Sequence, residues 1–207
     1  MRKRCQGTVL CAGQTQTLRL DILSASQETM SDMNLKQVIQ SVPDWPEEGI
    51  NFQDVTSLLQ NPQAFQQSVR TLVNQIEGKG YTDIVAPDAR GFLWGAPIAL
   101  YLGVPLHIVR KPNKLPPPVK SRKYKCEYAS RTLEIKTTAP LNKNSQVCII
   151  DDVSATGGTA LAIAELLQTF DVTKVSYGCV IDLEFLGGTE KLRGQQIKTY
   201  SVVTYDK

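Results

Sequence analysis

Apolar residues along this chain change their spacing in blocks. "NLKQVIQSV" sets Leu35, Val38, Ile39 and Val42 three and four residues apart, which predicts a helix. "PDWPEEG" breaks it with two prolines and a glycine. "NPQAFQQSVRTLVNQIEGKG" predicts a second helix. Its buried stripe is Phe65, Val69, Leu72, Val73 and Ile76, Asn61 is its N-cap, Pro62 its first residue, and Gly78 or Gly80 its stop. The spacing then becomes continuous. "TDIVAP" (82–87) reads as a buried parallel strand, "GFLWGAPIALYLG" (91–103) as a helix and "PLHIVR" (105–110) as the next strand. Residues 111–131 carry four prolines and many charges and can pack no core. They predict a long excursion flanked by strands, with "TLEIKT" returning. "QVCIIDD" (146–152) is another strand, residues 157–169 a helix, and 174–183 and 197–205 further strands.

Strands alternating with helices predict an α/β fold around a mostly parallel sheet flanked by helices. Ligands of such sheets bind beyond the carboxyl ends of the strands. Loops 87–92, 110–131 and 151–159 fall there.

Composition adds mainly exclusions. A length of 207 residues suits one domain, and 42% hydrophobic with 21% charged residues is ordinary for a globular chain. A net charge of +3 is too small to imply a nucleic-acid partner, although 111–125 is locally basic. No apolar run approaches the ~18 residues of a membrane span. The five cysteines form no CxxC pair, which favours a reduced, cytoplasmic setting. The single histidine, His107, rules out a histidine triad or multi-histidine metal site and reads as a satisfied core or strand-end residue. Residues 1–32 lack periodicity, and their short, broken apolar stretch is not a signal-peptide pattern. Met30 and Met33 precede the first helix, so this segment is expected to be an N-terminal extension: a disordered tail or an upstream start.

The chemistry concentrates in "CIIDDVSATGGT" (148–159). A strand runs into two carboxylates, and a loop without bulk then opens a helix. Helix starts leave backbone N–H groups unpaired, and glycines let the backbone close on a ligand. Residues 155–159 can therefore cradle a phosphate, or form a plain structural turn. No GK[ST] or GxGxxG pattern is present. Asp151 and Asp152 would repel a bare phosphate. A sugar phosphate resolves this, because its hydroxyls donate to the carboxylates, with a cation nearby; the alternative is an aspartate that caps the turn.

This stretch resembles the ribose-phosphate signature of the type I phosphoribosyltransferases. "SVPDWPEEGINFQDVTSLLQNPQAF", "DARGFLWGAPIALYLGVPLHIVRKPNKLP" and "CEYASRTLEI" are similar to the adenine phosphoribosyltransferases, in that family's order and spacing from about residue 34 onward. The resemblance implies a mostly parallel sheet, a small N-terminal hood (about 33–60) and a mobile catalytic loop (about 111–131). It implies transfer of phosphoribosyl from phosphoribosyl pyrophosphate (PRPP) to adenine, giving AMP and pyrophosphate, in purine salvage. Mg²⁺ is the implied cofactor, carried by PRPP and reached by Asp151 and Asp152 through water. A cytoplasmic homodimer without membrane or nucleic-acid partners is implied as well. Transfer to hypoxanthine, guanine or xanthine, or a non-enzymatic PRPP-sensing role, are the rival functions.

By the same resemblance Asp151 and Asp152 would bind the ribose hydroxyls, and Ala155, Thr156, Gly157, Gly158 and Thr159 the 5′-phosphate. Arg90, with the peptide between Ala89 and Arg90 in a cis form, would bind pyrophosphate, and Arg110, Lys111 and Lys114 would neutralise it. Glu127 would be the acid/base on the purine, and Tyr128 would close over the site. The purine would lie on Val153 against backbone groups of Asn51, Phe52 and Gln53. Asn51 and Gln53 depart from the family, which has an apolar and a basic residue there. Pro116–Pro117–Pro118, Cys126 and Ala129 also differ, in the loop.

Overall fold

A computed structural model describes residues 33–125 and 130–207. The first helix, α1 (Leu35–Val38), is capped by Asn34, whose side chain accepts from Lys36 N–H at 3.2 Å. Helical spacing up to Val42 overstates it. Ile39 is already extended, and Gln40–Val42 (β1) pairs antiparallel with Phe52–Asp54 (β2). Leu35 and Ile39 are buried, as the spacing requires, but Ser57 Oγ accepts from Gln40 N–H at 3.1 Å and the hairpin takes the chain away. A short helix, α2 (Thr56–Leu59), completes this hood.

The long helix α3 (Pro62–Ile76) begins as expected, with Asn61 Oδ1 accepting from Ala64 N–H at 3.0 Å and Pro62 in the first turn. Val69, Leu72, Val73 and Ile76 are buried, and Phe65 meets Trp94 edge-on. Then follow β3 (Asp83–Pro87), α4 (Gly91–Leu102) and β4 (Leu106–Val109). Part of the proline-rich excursion is a strand, which its composition does not suggest. From Val119 it enters an antiparallel hairpin, β5 (Val119–Lys125) with β6 (Ser130–Lys136). Charged residues suit this hairpin because one side lies along the next helix, where Arg122 pairs with Glu165 at 2.7 Å.

The remaining elements are β7 (Gln146–Ser154), α5 (Gly158–Gln168), β8 (Lys174–Leu183), a 3₁₀ turn (Glu184–Leu186), α6 (Gly188–Gly194) and β9 (Lys198–Tyr205). The main sheet is parallel throughout, in the order β4-β3-β7-β8-β9. Alternate residues of β7 feed two cores. Val147 and Ile149 pack with Ile163 and Leu166 of α5, while Cys148 and Ile150 pack with Leu72 of α3 and Trp94 and Ile98 of α4. His107 is buried at 2.8 Å from Asp83 Oδ1, the satisfied strand residue expected of it. Among the described residues no helix is long and apolar enough to cross a membrane.

Candidate active site

The fold brings the carboxyl ends of β3, β7 and β8 to one side of the sheet. After Ser154 the chain turns through Gly157, at φ +74°, into α5. Among the described residues no side chain caps this helix, and its first residues line a cavity of about 320 Å³. Their backbone N–H groups are left for an anion. Asp151, Val153, Ala155, Thr156, Gly157, Gly158 and Thr159, all singled out from the sequence, are brought together in the lining of this cavity. Ser154, Tyr177, Leu186 and Arg131, which sequence reasoning did not single out, line it as well. A signal existed for two of them. Arg131 is a basic residue ending the excursion, and "LEFLGGT" (183–189) echoes "SATGGT" at the end of the neighbouring strand.

The two carboxylates differ. Asp151 Oδ1 accepts from the backbone N–H of Asp152 at 2.8 Å. Burial pushes the Asp151 carboxyl well above the usual carboxylate range, and the Asp152 charge beside it adds to the rise. Asp152 instead forms an ion pair with Arg90 Nε, whose side chain is 45% exposed and therefore able to meet a ligand. Arg90 opens α4. That helix can sit over the end of β7 because Gly91 has no side chain: a Cβ there would meet Pro87 Cδ at 2.8 Å and Ile150 O at 3.0 Å.

The cis peptide near Arg90 lies one residue earlier than expected, between Asp88 and Ala89. The peptide between Ala89 and Arg90 already belongs to the helical turn. Arg90 has helical angles, and the Ala89 carbonyl accepts from Phe92 N–H at 3.3 Å. Beside this turn Arg110 Nε donates to Asp88 Oδ2 at 2.9 Å, and its Nη1 donates to the Lys114 carbonyl at 3.2 Å. Lys111 and Lys114 are exposed. Arg110 thus ties the root of the excursion to the Asp88–Ala89 turn, with part of its charge spent on Asp88.

The residues expected to flank a base are not all in one place. Val153 lines the cavity, whereas Asn51, Phe52 and Gln53 stand in the hood and do not. Phe52 meets Trp45 edge-on with centroids 4.4 Å apart, and the buried Gln53 accepts from Ser41 Oγ at 2.7 Å. The Gln53 side chain is therefore used within the hairpin, and Asn51 is exposed. Glu127 and Tyr128 lie outside the described residues.

A parallel sheet with an uncapped glycine helix start and two buried carboxylates at one strand end defines a sugar-phosphate-binding α/β protein. The phosphoribosyl transferase domain model matches residues 54–203. The adenine phosphoribosyltransferase of Pectobacterium carotovorum subsp. carotovorum is 44% identical over 171 residues, covering 83% of this chain and 92% of the relative. That of Haemophilus ducreyi is 42% identical over 172 residues, covering 83% and 96%. Among solved structures, the adenine phosphoribosyltransferase of Thermoanaerobacter pseudethanolicus superposes with a TM-score of 0.77 at 40% identity, over 83% of this chain and 98% of its own. The Giardia lamblia APRTase complexed with 9-deazaadenine gives 0.80 at 31% identity, over 86% and 100%. The chain belongs to the phosphoribosyltransferase family, as a member of its adenine phosphoribosyltransferases.

Proposed function

We propose that this chain transfers the phosphoribosyl group of PRPP to adenine, giving AMP and pyrophosphate. The observation that carries this reading is the uncapped start of α5 lying next to buried Asp151 and Asp152. The backbone of 155–159 takes the 5′-phosphate, and the carboxylates take the ribose hydroxyls. Arg90, Arg110, Lys111 and Lys114 face the pyrophosphate. As adenine N9 bonds to C1, the C1–O bond breaks and pyrophosphate leaves with the electron pair. Cations held in place before the reaction stabilise that developing charge better than mobile water does. Glu127 exchanges the proton at N7 of the purine, with Tyr128 closing over the site and Val153 and the backbone of 51–53 flanking the base.

The acidic residues fit a magnesium ion held mainly by the substrate. Among the described residues no three histidine, cysteine or acidic side chains cluster. Asp152 is engaged by Arg90, and burial disfavours charge on Asp151. Asp151 and Asp152 would reach such an ion through water, with most ligands coming from PRPP. When bound, the ion offsets the charge of the leaving pyrophosphate.

We place a homodimer contact on the outer face of α4. Leu100 and Tyr101 are 61% and 40% exposed there, on a helix apolar all round. The buried free thiols Cys148 and Cys179 favour the cytoplasm.

Purified chain supplied with PRPP, Mg²⁺ and adenine is expected to form AMP and pyrophosphate, and much less product with hypoxanthine, guanine or xanthine. Glu127→Leu is expected to lower turnover about 10²–10⁴-fold, the usual worth of a positioned acid/base group, with PRPP affinity unchanged. Preference for another base would refute the adenine assignment. Full AMP synthesis by Glu127→Leu would refute the proton role.

A further inference from the structure

The glycine loop does not stand alone. It rests against a second turn at the end of β8, which carries the second "GGT", Gly187–Gly188–Thr189. The contact is backbone on backbone from both sides. A Cβ on Gly157 would lie 2.8 Å from the Gly188 carbonyl oxygen. A Cβ on Gly188 would lie 2.2 Å from the Ala155 carbonyl oxygen and 2.7 Å from the Gly157 nitrogen. Backbone cannot swing aside as a flexible side chain can, so any side chain at Gly188 must displace residues 155–157.

The second turn is itself anchored from beneath. Thr189 Oγ1 donates to Asp182 Oδ2 at 2.9 Å, with Thr189 and Asp182 only 1% and 2% exposed. Asp182 sits on β8 beside Ser154 of β7, the residue that leads into the loop. Its second oxygen, Oδ1, has no hydrogen-bond partner among the described residues. An acidic side chain is thus kept buried at a strand end with one hydroxyl as its described side-chain donor. Gly187, at φ +69°, supplies the turn, and a Cβ there would touch nothing. The two glycines therefore divide the work: Gly187 gives conformation and Gly188 gives space.

We propose that Asp182, Thr189 and Gly188 form a buttress that holds 155–157 in the shape that binds the 5′-phosphate. They are positioning residues. They act through the loop backbone and touch no substrate. A cradle of backbone N–H groups works only if its peptide planes are fixed, because each hydrogen bond to a charged oxygen depends on aim. The Thr189–Asp182 bond fixes the turn, and the turn fixes the loop. The inference rests on the phosphoribosyl reading of the site.

The test is calorimetric, with ribose 5-phosphate and pyrophosphate as separate probes. Gly188→Ala is expected to weaken ribose 5-phosphate binding by about tenfold or more, as loss of one charge-assisted hydrogen bond would. Thr189→Val, which keeps the shape and removes the donor, is expected to weaken it severalfold, and Thr189→Ser to restore it. Pyrophosphate affinity should hold in all three, because its residues lie at 90 and 110–114. Gly194→Ala is the control, since a Cβ there meets nothing within 4 Å. Wild-type ribose 5-phosphate affinity in Gly188→Ala overturns the buttress, as does equal loss of both probes in Thr189→Val. If Gly188→Ala does not fold, the Thr189→Val and Thr189→Ser pair decides. A wild-type chain that binds no ribose 5-phosphate refutes the phosphoribosyl reading instead.

Discussion

Asp151 stands in the fold against its own charge. Its burial and the neighbouring Asp152 raise its affinity for a proton, and the Asp152 N–H donates to it. Ribose hydroxyls would donate to the ionised form, so the site becomes comfortable only when filled. The sign of the stability effect follows from linkage. A carboxyl with a raised folded-state pKa holds its proton in the folded chain after the unfolded chain has lost it. Stability therefore falls as pH rises from the ordinary carboxylate range, near about 4, through the raised value, and is level above it. Asp151→Asn removes that loss and keeps an oxygen for the Asp152 N–H. The ligand-free variant is expected to melt higher than wild type at pH 7, by about 2–4 °C for each kcal/mol regained, while AMP synthesis falls sharply. Melts between pH 4 and 8 check this: the gap should widen with pH over the acid part of the range. A variant that melts lower at pH 7 would show that the carboxylate is stabilising as it stands.

Helix α4 shows how a whole element is set by two missing side chains. Gly91 lets its first turn approach the end of β7, and Gly95 lets its middle approach β3, where a Cβ would lie 2.7 Å from Ala86 Cβ. Because Arg90 opens this helix, the approach also sets where the guanidinium meets Asp152. Gly95→Ala forces helix and strand apart by a fraction of an ångström. It is expected to cost about 1–3 kcal/mol, as overpacking does, and to raise KM for PRPP more than KM for adenine. Denaturant melts and steady-state kinetics measure the two effects. Unchanged KM for PRPP would uncouple helix placement from the site. The β5–β6 hairpin is set differently, with polar ties along α5 beside its buried Leu133 and Ile135. Tyr124 OH lies 3.4 Å from Thr159 Oγ1, Arg122 pairs with Glu165, and Lys120 donates to the Thr169 carbonyl while lying over the Phe170 ring. These ties add to an apolar anchor, because Leu133 and Ile135 of β6 are buried in the same core as α5 and Tyr124 packs against it.

Across the molecule, what could be read from the sequence followed length and period. The helix 62–76 and the strands 83–87, 146–154 and 174–183 were legible because continuous apolar runs or a clean helical stripe mark them. The glycine loop at the end of β7 was legible because small residues directly after paired carboxylates mark a turn without bulk that opens a helix. The strands of the hood were not, since three-residue strands are too short to show an alternation of two. Arg131, Leu186 and Gly188 were missed because only folding brings their turns to the glycine loop. The hood also bears on how far the chain can be shortened. Met33 exchanges two hydrogen bonds with Gln67 of α3, at 3.1 and 2.9 Å, and Leu35 and Ile39 are 4% and 5% exposed beneath it. A chain starting at Met33 keeps all of these, because its terminal ammonium still donates to Gln67. It is expected to match the full chain in Tm and in AMP synthesis. A chain starting at Gln40 loses two buried aliphatic side chains, each worth about 1.5–3 kcal/mol, and is expected to melt lower by several degrees. Differential scanning calorimetry of the three chains tests both statements. A large drop already at Met33 would show that residues 1–32 hold the hood in place.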